Sequence, residues 1–353
     1  MKQELSLNKN ELKKFIELEY GIKTIKLTFI PVGEVAYSYI LQAENKTKYF
    51  LKLFEQSRLS NASGLTLSGS IKIAYQLNQE GNINQVVCPL KTKNNEFIGK
   101  FENFNMAIWT FIEGKIVNEK QSHSREFLIQ LGELLGKIHS STNLISKEEI
   151  YQFSFELDFR DDLLRSIKEA TSNTKFRDKN YNRLQKLINS NMNYILPSLV
   201  YLEELTKKLK KEKILNLVVC HTDPIRHNII INKTGKIHLI DWDSVILAPC
   251  EKDLWFYINE EFNLDFISSY MNIRKIERLD EDIIVFLFYY RVLQDLTDWI
   301  YRILFEKISQ EQIESDFQGL EEDIWPVLPK MKEIEAQLRK NTRKIIQETK
   351  KFA

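Results

Sequence analysis

The residue types best able to do chemistry lie in one stretch near the middle of the chain. An apolar run, 214–220, leads into a polar loop that carries the acid Asp223 and the amide Asn228, and a second acid, Asp241, follows the next apolar run. Acids at the ends of buried strands are costly unless they are paired or bind a cation. Two carboxylates and an amide oxygen suit Mg²⁺, which also binds substrate phosphates. The spacing therefore indicates metal-assisted phosphoryl transfer.

The first 112 residues contain the elements expected to face this loop. Their pattern predicts an antiparallel sheet with two helices, because β-branched and aromatic runs alternate with turn residues. Helices are predicted at 11–19 and 71–79, strands at 25–31, 36–43, 48–54, 86–90, 96–102 and 105–112, and a loop at 56–70.

After residue 113 the pattern becomes helical. Helices are predicted at 125–139 and across 161–213, a strand at 214–220, a hairpin over 228–232 and 236–240, and mainly helix beyond 241. The fold class is thus α+β, with a β-rich lobe over 1–112 and a mostly helical lobe over 113–353. We expect the ligand between the two lobes.

Composition excludes several classes of protein. The chain has 353 residues, 43% of them hydrophobic, and a formal net charge of +1, so nucleic acid and membrane are not expected partners. No apolar stretch is long enough for a membrane span, and the polar N-terminus does not resemble a secretory signal. Three scattered cysteines fit a reducing compartment, and we expect a cytoplasmic monomer or dimer.

The catalytic stretch resembles a known family. The run CHTDPIRHN, followed after the hairpin by IDWD, is similar to the catalytic loop (221–228) and metal-binding segment (240–243) of the aminoglycoside phosphotransferases, which have a protein-kinase-like fold. Within that family the similarity is greatest to spectinomycin-phosphorylating members, and it extends over roughly residues 12–300. It implies ATP or GTP as phosphate donor and Mg²⁺ as cofactor.

The resemblance assigns the chemistry to four side chains. Asp223 is the implied catalytic base, or the group that orients the substrate hydroxyl. Asn228 and Asp241 are the implied Mg²⁺ ligands. Lys52, on the third strand, is implied to contact the α- and β-phosphates.

It also implies supporting roles. Backbone groups of the connector at Trp109, Phe111 and Ile112 are expected to receive the adenine. His221 is expected to brace the catalytic loop through hydrogen bonds, and Asp253 to tie that loop down from a following helix.

Three features depart from the family pattern. The first turn has a single glycine, Gly33, which is still a candidate phosphate contact, and Thr222 occupies a position often held by glycine. No glutamate occurs at 56–79, where the acidic partner of Lys52 is expected; a rough alignment places Ser68 there. Either the register differs, or another acid such as Glu55 or Glu80 pairs with Lys52, or the lysine acts unpaired.

The charge distribution suggests where a cationic substrate could bind. Residues 241–298 carry 13 acidic and five basic residues, against net +9 elsewhere. This segment is either a solvated acidic surface or a wall that attracts a cationic aminocyclitol. The candidate substrate contacts are Asp243, Glu251, Glu260, Glu261, Asp295 and Asp298, of which Asp243 is alternatively a second metal ligand.

Three functions remain open. The first is O-phosphorylation of an aminoglycoside or aminocyclitol, with spectinomycin as first candidate and antibiotic resistance as the outcome. The second is a metabolic kinase for choline, methylthioribose or a fructosamine. The third is a non-catalytic protein of kinase-like shape, which the missing glutamate favours and the presence of Asp223, Asn228 and Asp241 disfavours.

Overall fold

The structure is a computed structural model that describes residues 3–33, 36–55, 67–146, 150–172, 179–212, 215–276 and 279–349. Its strands are β1 (Thr24–Ile30), β2 (Ala36–Ala43), β3 (Lys48–Glu55), β4 (Gly99–Phe101), β5 (Phe104–Thr110), β6 (Gly114–Ile116), β7 (Leu217–Cys220), β8 (Ile229–Asn232), β9 (Ile237–Leu239) and β10 (Ile246–Pro249). Its α-helices are α1 (Lys9–Tyr20), α2 (Leu67–Gln79), α3 (Glu119–Ser122), α4 (Arg125–Ser140), α5 (Arg160–Thr171), α6 (Lys179–Glu212), α7 (Glu251–Leu254), α8 (Asn263–Ile273), α9 (Glu281–Phe305), α10 (Gln310–Gly319) and α11 (Met331–Thr349).

The chain divides into two compact units. The first comprises Met1–Phe153 and Asn216–Glu277, and the second comprises Ser154–Leu215 and Arg278–Ala353. The residues predicted for the catalytic loop and the metal-binding segment all lie in the first unit.

A five-stranded antiparallel sheet forms the first part of this unit. The strand order is β1-β2-β3-β5-β4, so β3 lies in the middle with a partner on each side. Alternate residues of β2 and β3, including Tyr39, Leu41, Leu51 and Leu53, are fully buried and pack with Leu12 of α1. This alternation, which is typical of a sheet with one buried face, fixes which residues of β3 point the other way.

Two small antiparallel sheets hold the polar loop of the first unit. Strand β7 pairs with β10, and β8 pairs with both β6 and β9. The backbone of Leu239 on β9 also bonds to Gln85 and Val87 in the segment before β4. The catalytic loop is therefore anchored by strands at both of its ends.

The second unit is built from helices. Helix α11 is fixed to α6 and α9 by a polar network around Arg339, whose guanidinium lies 2.7 Å from Asp282 and 2.9 Å from Glu335. The hydroxyls of Tyr201 and Tyr289 also donate to Glu335, at 2.6 and 3.1 Å. Among the helices described in either unit, none combines the length and apolarity that a bilayer crossing demands.

The predicted fold class is confirmed: an antiparallel sheet is followed by a largely helical region. Strands β1 to β3 and helix α4 lie within a residue or two of their predicted bounds. The predicted loop 56–70 lies partly outside the described residues, and its last four residues belong to α2. The predicted strand 86–90 is wrong, since this segment makes only single bridges. Strand β10, in a region predicted to be mainly helical, was not predicted.

Close packing of α4 on α8 gives a test of the fold. A Cβ added at Gly132 would lie 2.3 Å from the carbonyl oxygen of Phe266, so the two helices would have to separate. We expect Gly132→Ala to lower the free energy of unfolding by about 1–3 kcal/mol, as overpacking does. Urea unfolding measures the change, and Glu133→Ala, on the exposed face of the same helix, serves as the control. Equal stability of both variants would contradict the close packing.

Candidate active site

Lys52 lies on the central strand β3, where its neighbours leave space for its side chain. The residues opposite it are the small Ser38 on β2 and Ala107 on β5. Its ammonium nitrogen is 5.7 Å from the ring centres of both Phe54 and Trp109, on the same face of the sheet. The stem is thereby buried, and only 13% of the side chain is exposed.

Two carboxylates hold the Lys52 ammonium. Its Nζ lies 2.6 Å from Oδ1 of Asp241 and 2.6 Å from Oδ2 of Asp243. The exposed fractions of these acids differ, at 44% for Asp241 and 27% for Asp243. A buried ammonium needs such partners, because an unpaired charge in this position would carry a large desolvation cost.

The charges of these groups determine their pKa values. Burial would lower the pKa of Lys52, but the two carboxylates outweigh it and raise that pKa above its ordinary value. Burial would raise the pKa of Asp241, yet the charge of Lys52 lowers it. For Asp243, burial and the adjacent Asp241 carboxylate together raise the pKa to about 6 against the opposing effect of Lys52.

This arrangement fits a divalent cation. Two carboxylates share one ammonium, so one negative charge is left without a counterion in the group. Carboxylate and amide oxygens such as those of Asp241 and Asn228 are the hard donors that Mg²⁺ prefers, and Mg²⁺ is commonly bound through one or two carboxylates plus phosphate oxygens.

Asp223 and Asn228 form the second part of the site. The Asn228 amide nitrogen donates to both the carboxylate Oδ2 and the backbone carbonyl of Asp223, each at 2.9 Å. A short 3₁₀ turn, Arg226–Asn228, brings the amide back over the loop. Because the amide nitrogen is used in this way, the amide oxygen of Asn228 is the atom left to act as a metal ligand.

A backbone hydrogen bond joins the two parts. The N–H of Ile240 donates to the carbonyl of Asn228 at 2.9 Å. The residue before Asp241 is thus held against the residue that contacts Asp223. The four side chains assigned from the sequence, at positions 52, 223, 228 and 241, form two bonded pairs linked through this backbone contact.

Asp253 anchors the catalytic loop from helix α7. This fully buried carboxylate accepts the backbone N–H of His221 at 2.8 Å and that of Thr222 at 2.7 Å. His221 in turn donates from Nε2 to the carbonyl of Ile240 at 2.9 Å. These hydrogen bonds hold the catalytic loop, and the roles of His221 and Asp253 in the reaction stay predictions.

One residue of the site and one residue beside it have left-handed backbone. Thr222 has φ +77° and Asp241 has φ +66°. This conformation is rare for a β-branched residue and costs of order 1–3 kcal/mol, and such residues cluster at functional sites. The Asp253 contact to the Thr222 N–H offsets part of this cost.

A second layer of contacts lies behind the loop, and its tyrosines were not predicted from the sequence. His139 lies at 3.1 Å from Asp253 through Nε2 and accepts the Tyr270 hydroxyl at Nδ1, 2.9 Å away. The Tyr257 hydroxyl donates to the carbonyl of Pro224 at 2.7 Å. Burial raises the pKa of both tyrosines, so each hydroxyl stays protonated and donates. No spacing signal in the sequence marks these tyrosines, because their partners lie 33 and 131 residues away.

The buried group of His139, Cys220 and Asp253 is structural. Ligand atoms of the three residues lie within 4.8 Å of one another. Both nitrogens of His139 and both oxygens of Asp253 are already in hydrogen bonds. These atoms are therefore used to hold the loop.

Among the residues that the structure describes, the acids that pair with Lys52 come from the second lobe. The ion pairs of Lys52 are with Asp241 and Asp243, so the alternative of an unpaired lysine is wrong. Glu55, one of the acids considered from the sequence, accepts the Tyr37 hydroxyl at 3.2 Å. Helix α2 contributes instead a neutral contact: Ser70 Oγ donates to the backbone carbonyl of Asp243 at 3.2 Å.

One of the predicted nucleotide contacts, Trp109, lies beside Lys52. Trp109 is buried on β5, and Phe111 and Ile112 follow it as half-buried residues before β6. The Lys48 ammonium lies 5.4 Å from the ring centre of Phe111 and 2.7 Å from Glu113. Gly33, after β1, has φ +77°, which suits a glycine. Nucleotide binding by these residues stays a prediction.

The predicted substrate acids are divided between the two units. In the first unit Glu251 is buried, Glu261 is exposed, and Glu260 lies 2.6 Å from Nδ1 of His123. Asp295 and Asp298 are on α9 in the second unit, where Asp295 forms an ion pair with Arg291 at 2.6 Å. Their roles in substrate binding stay predictions.

The site geometry agrees with a comparison to protein families. Residues 26–277 match the model of the phosphotransferase enzyme family, APH. The chain belongs to this family. The match spans both the sheet that carries Lys52 and the loop that carries Asp223, and it confirms the resemblance and the expected class of enzyme, a small-molecule phosphotransferase. No curated protein sequence matches the chain.

Solved structures show the same fold. A spectinomycin phosphotransferase, APH(9)-Ia, in complex with ADP and spectinomycin has a TM-score of 0.76 at 20% identity, covering 94% of this chain and 100% of that one. The structure of amicoumacin kinase hAmiN with AMP-PNP, Ca²⁺ and Ami has a TM-score of 0.59 at 17% identity, and the match covers 94% of each chain. Ethanolamine kinase from Plasmodium vivax gives 0.56 at 17% identity, covering 92% and 86%.

The buried anchor of the loop gives a second prediction. Asp253→Asn replaces one accepting oxygen by an NH₂ group facing backbone N–H donors. We expect it to lower the free energy of unfolding by about 3 kcal/mol, because a buried hydrogen-bonded charge network is broken. Denaturant unfolding measures the loss, and hydrogen exchange at residues 221 and 222 should accelerate.

A surface ion pair of the same unit supplies the control. Asp265→Asn removes the exposed pair with Arg125 and should cost less than about 1 kcal/mol. If the two variants were equally stable, Asp253 would not be the anchor.

Proposed function

We propose that this chain transfers the γ-phosphate of Mg-ATP to a hydroxyl of a small cationic aminocyclitol or aminoglycoside, with spectinomycin as the first candidate. The observation that carries the proposal is the paired arrangement of Lys52 with Asp241 and of Asp223 with Asn228, joined through the Ile240 backbone. These are the parts that a kinase needs for phosphoryl transfer.

In the proposed reaction each side chain acts on a different atom. Asp223 accepts or orients the proton of the attacking hydroxyl, and Lys52 neutralises charge on the donor phosphates. Asn228 and Asp241 would hold Mg²⁺, which supplies further neutralisation of phosphate charge when bound. Asp253, His221 and the backbone contacts keep this loop in one conformation, which limits the entropy lost on reaching the reactive geometry.

The donor nucleotide is proposed to bind beside Lys52. Gly33 would lie near the phosphates, and the backbone at Trp109, Phe111 and Ile112 would receive the base. The similar solved structures that contain ADP or AMP-PNP support the proposal that this fold binds a nucleotide. GTP is the alternative donor, since a backbone contact to the base need not exclude guanine.

The acceptor is proposed to be cationic. Residues 241–298 carry eight more negative than positive charges, and such a field attracts cations. Glu260, Glu261 and the acids at 251, 295 and 298 are candidate contacts. An antibiotic acceptor of this kind would make resistance the biological role, and the solved structure with spectinomycin bound makes that compound the first to test.

A small amino alcohol such as choline or ethanolamine is the second candidate acceptor. The similarity to an ethanolamine kinase favours it, and the catalytic loop cannot separate the two, because it handles the phosphate and not the acceptor. The acceptor must therefore come from an assay.

We also infer the cytoplasm as the site of action, because ATP is supplied there and Cys88, Cys220 and Cys250 are all unpaired thiols. The lobe boundary near residue 112 and a monomeric or dimeric state remain parts of the proposal.

The third prediction tests the chemistry. Asp223→Asn should reduce turnover of Mg-ATP with the true acceptor by at least about 10³-fold, since the hydroxyl loses its base, while ADP binding is retained. Purified protein is assayed against spectinomycin, other aminoglycosides, choline and ethanolamine, with product mass as the second readout. The exposed His227→Ala, in the same loop, is the control.

Two outcomes would contradict the proposal. One is turnover that persists in the Asp223→Asn protein. The other is that the protein without any substitution binds nucleotide but phosphorylates none of these hydroxyl compounds. That result would favour the non-catalytic alternative.

The fourth prediction tests the acidic segment. Glu261→Gln removes an exposed charge and should raise the KM for a cationic acceptor about threefold to tenfold, the range expected for one partly screened charge. The KM for ATP should not change. Glu133→Gln, on an exposed helix face outside this segment, is the matched control, and an unchanged acceptor KM for Glu261→Gln would remove this residue from the site.

A further inference from the structure

Helix α2 has no acid to offer Lys52. In protein kinases the lysine of the third strand pairs with a glutamate on a helix. Here residues 56–79 include no acidic residue, and the start of α2 presents Ser68 and the buried Ser70. Yet the ammonium of Lys52 is buried and must be paired, so its counterion has to come from another element.

Asp243 meets the requirement for that counterion. Its Oδ2 lies 2.6 Å from the Lys52 nitrogen, a charge-assisted contact. Asp241 makes a contact of equal length, but under the proposed function that carboxylate is also a metal ligand. Asp243 is the less exposed of the two acids, and its contact to the lysine does not compete with a proposed metal bond.

The backbone around Asp243 is fixed on several sides. Its carbonyl accepts Ser70 Oγ at 3.2 Å, and the next carbonyl, of Ser244, accepts Thr222 Oγ1 at 3.3 Å. The preceding Trp242 is buried, and its indole N–H donates to the Leu239 carbonyl at 3.1 Å. The turn therefore presents the carboxylate from a rigid support.

We propose that Asp243 is the fixed acidic partner of Lys52, a positioning residue that takes the place of the helix glutamate. The catalytic part of this inference rests on the proposed function. It holds that Asp243 keeps the Lys52 ammonium directed at the donor phosphates when Asp241 binds the metal. Asp243 then acts through the lysine, and it is neither a metal ligand nor a substrate contact.

The first experiment needs no substrate. The full-length protein is treated with an amine-acylating reagent at fixed pH in excess chelator, and peptide mass spectrometry follows acylation of Lys52. In Asp243→Asn the lysine loses a charge-assisted bond, so we expect its acylation rate to rise about tenfold. Lys48, on the same strand and paired with Glu113, is the internal control and should not change. Asp243→Glu should restore slow acylation.

The second experiment separates positioning from metal binding. In the presence of the acceptor found by the assay, Asp243→Asn should lower kcat about 10- to 100-fold at saturating Mg-ATP, while the half-saturating concentration of free Mg²⁺ is unchanged. Asp241→Asn should raise that Mg²⁺ concentration. On electrostatic grounds alone, removing a negative charge near the phosphates would strengthen ATP binding. A lower kcat would therefore indicate that the lysine is misplaced.

Each outcome decides one question. Unchanged acylation of Lys52 in Asp243→Asn overturns the pairing, whatever the activity. An increased requirement for Mg²⁺ in this variant makes Asp243 a metal ligand and overturns the positioning role. If the unchanged protein phosphorylates nothing, the proposed function fails, and the acylation rates still decide whether Asp243 holds Lys52. Circular dichroism of each variant verifies that it is folded.

Discussion

The ion pairs of Lys52 with Asp241 and Asp243 are the interaction on which the first unit depends. The lysine is on the central strand of the sheet, and the acids follow 189 and 191 residues later. An ammonium buried between two aromatic rings is tolerated only when carboxylates reach it. The sheet and the β8–β9 hairpin must therefore both be in place before either side of this contact is stable.

The loop that carries Asp223 depends on a second buried charge. Asp253 accepts two consecutive backbone N–H groups, one of them from a threonine in left-handed conformation. His139 and Tyr270 extend this contact into α4 and α8. The reactive loop is thus supported by two closely packed helices of the unit, α4 and α8, which explains how a strained backbone is maintained there.

Much of this organisation could be predicted from local patterns. Strands β1 to β3 alternate clearly, and α4 has an uninterrupted apolar stripe, so both were predicted almost to the residue. Strand β10 has only four residues, Ile246–Pro249, and ends in proline, which gives too little signal. The first turn of α2 contains Ser68, Gly69 and Ser70, residues that are typical of loops, and packing overrides their propensity.

The site shows the same limit. Asp223, Asn228 and Asp241 lie close together in the chain, and their spacing was sufficient to predict that they belong together. The counterion of Lys52 could not be predicted in this way, because nothing in local spacing relates position 52 to position 243. The tyrosine contacts behind the loop, such as Tyr257 to Pro224, are likewise set by tertiary packing.

The position of Asp243 has a consequence for control. Many protein kinases are switched off when a helix swings outward and takes its glutamate away from the strand lysine. In this chain an outward swing of α2 would break the Ser70 contact to a backbone carbonyl and leave both salt links to Lys52 intact. Under the proposed role of Asp243, such a movement would therefore not release the lysine, and the rate of the reaction would depend on how much protein and acceptor are present.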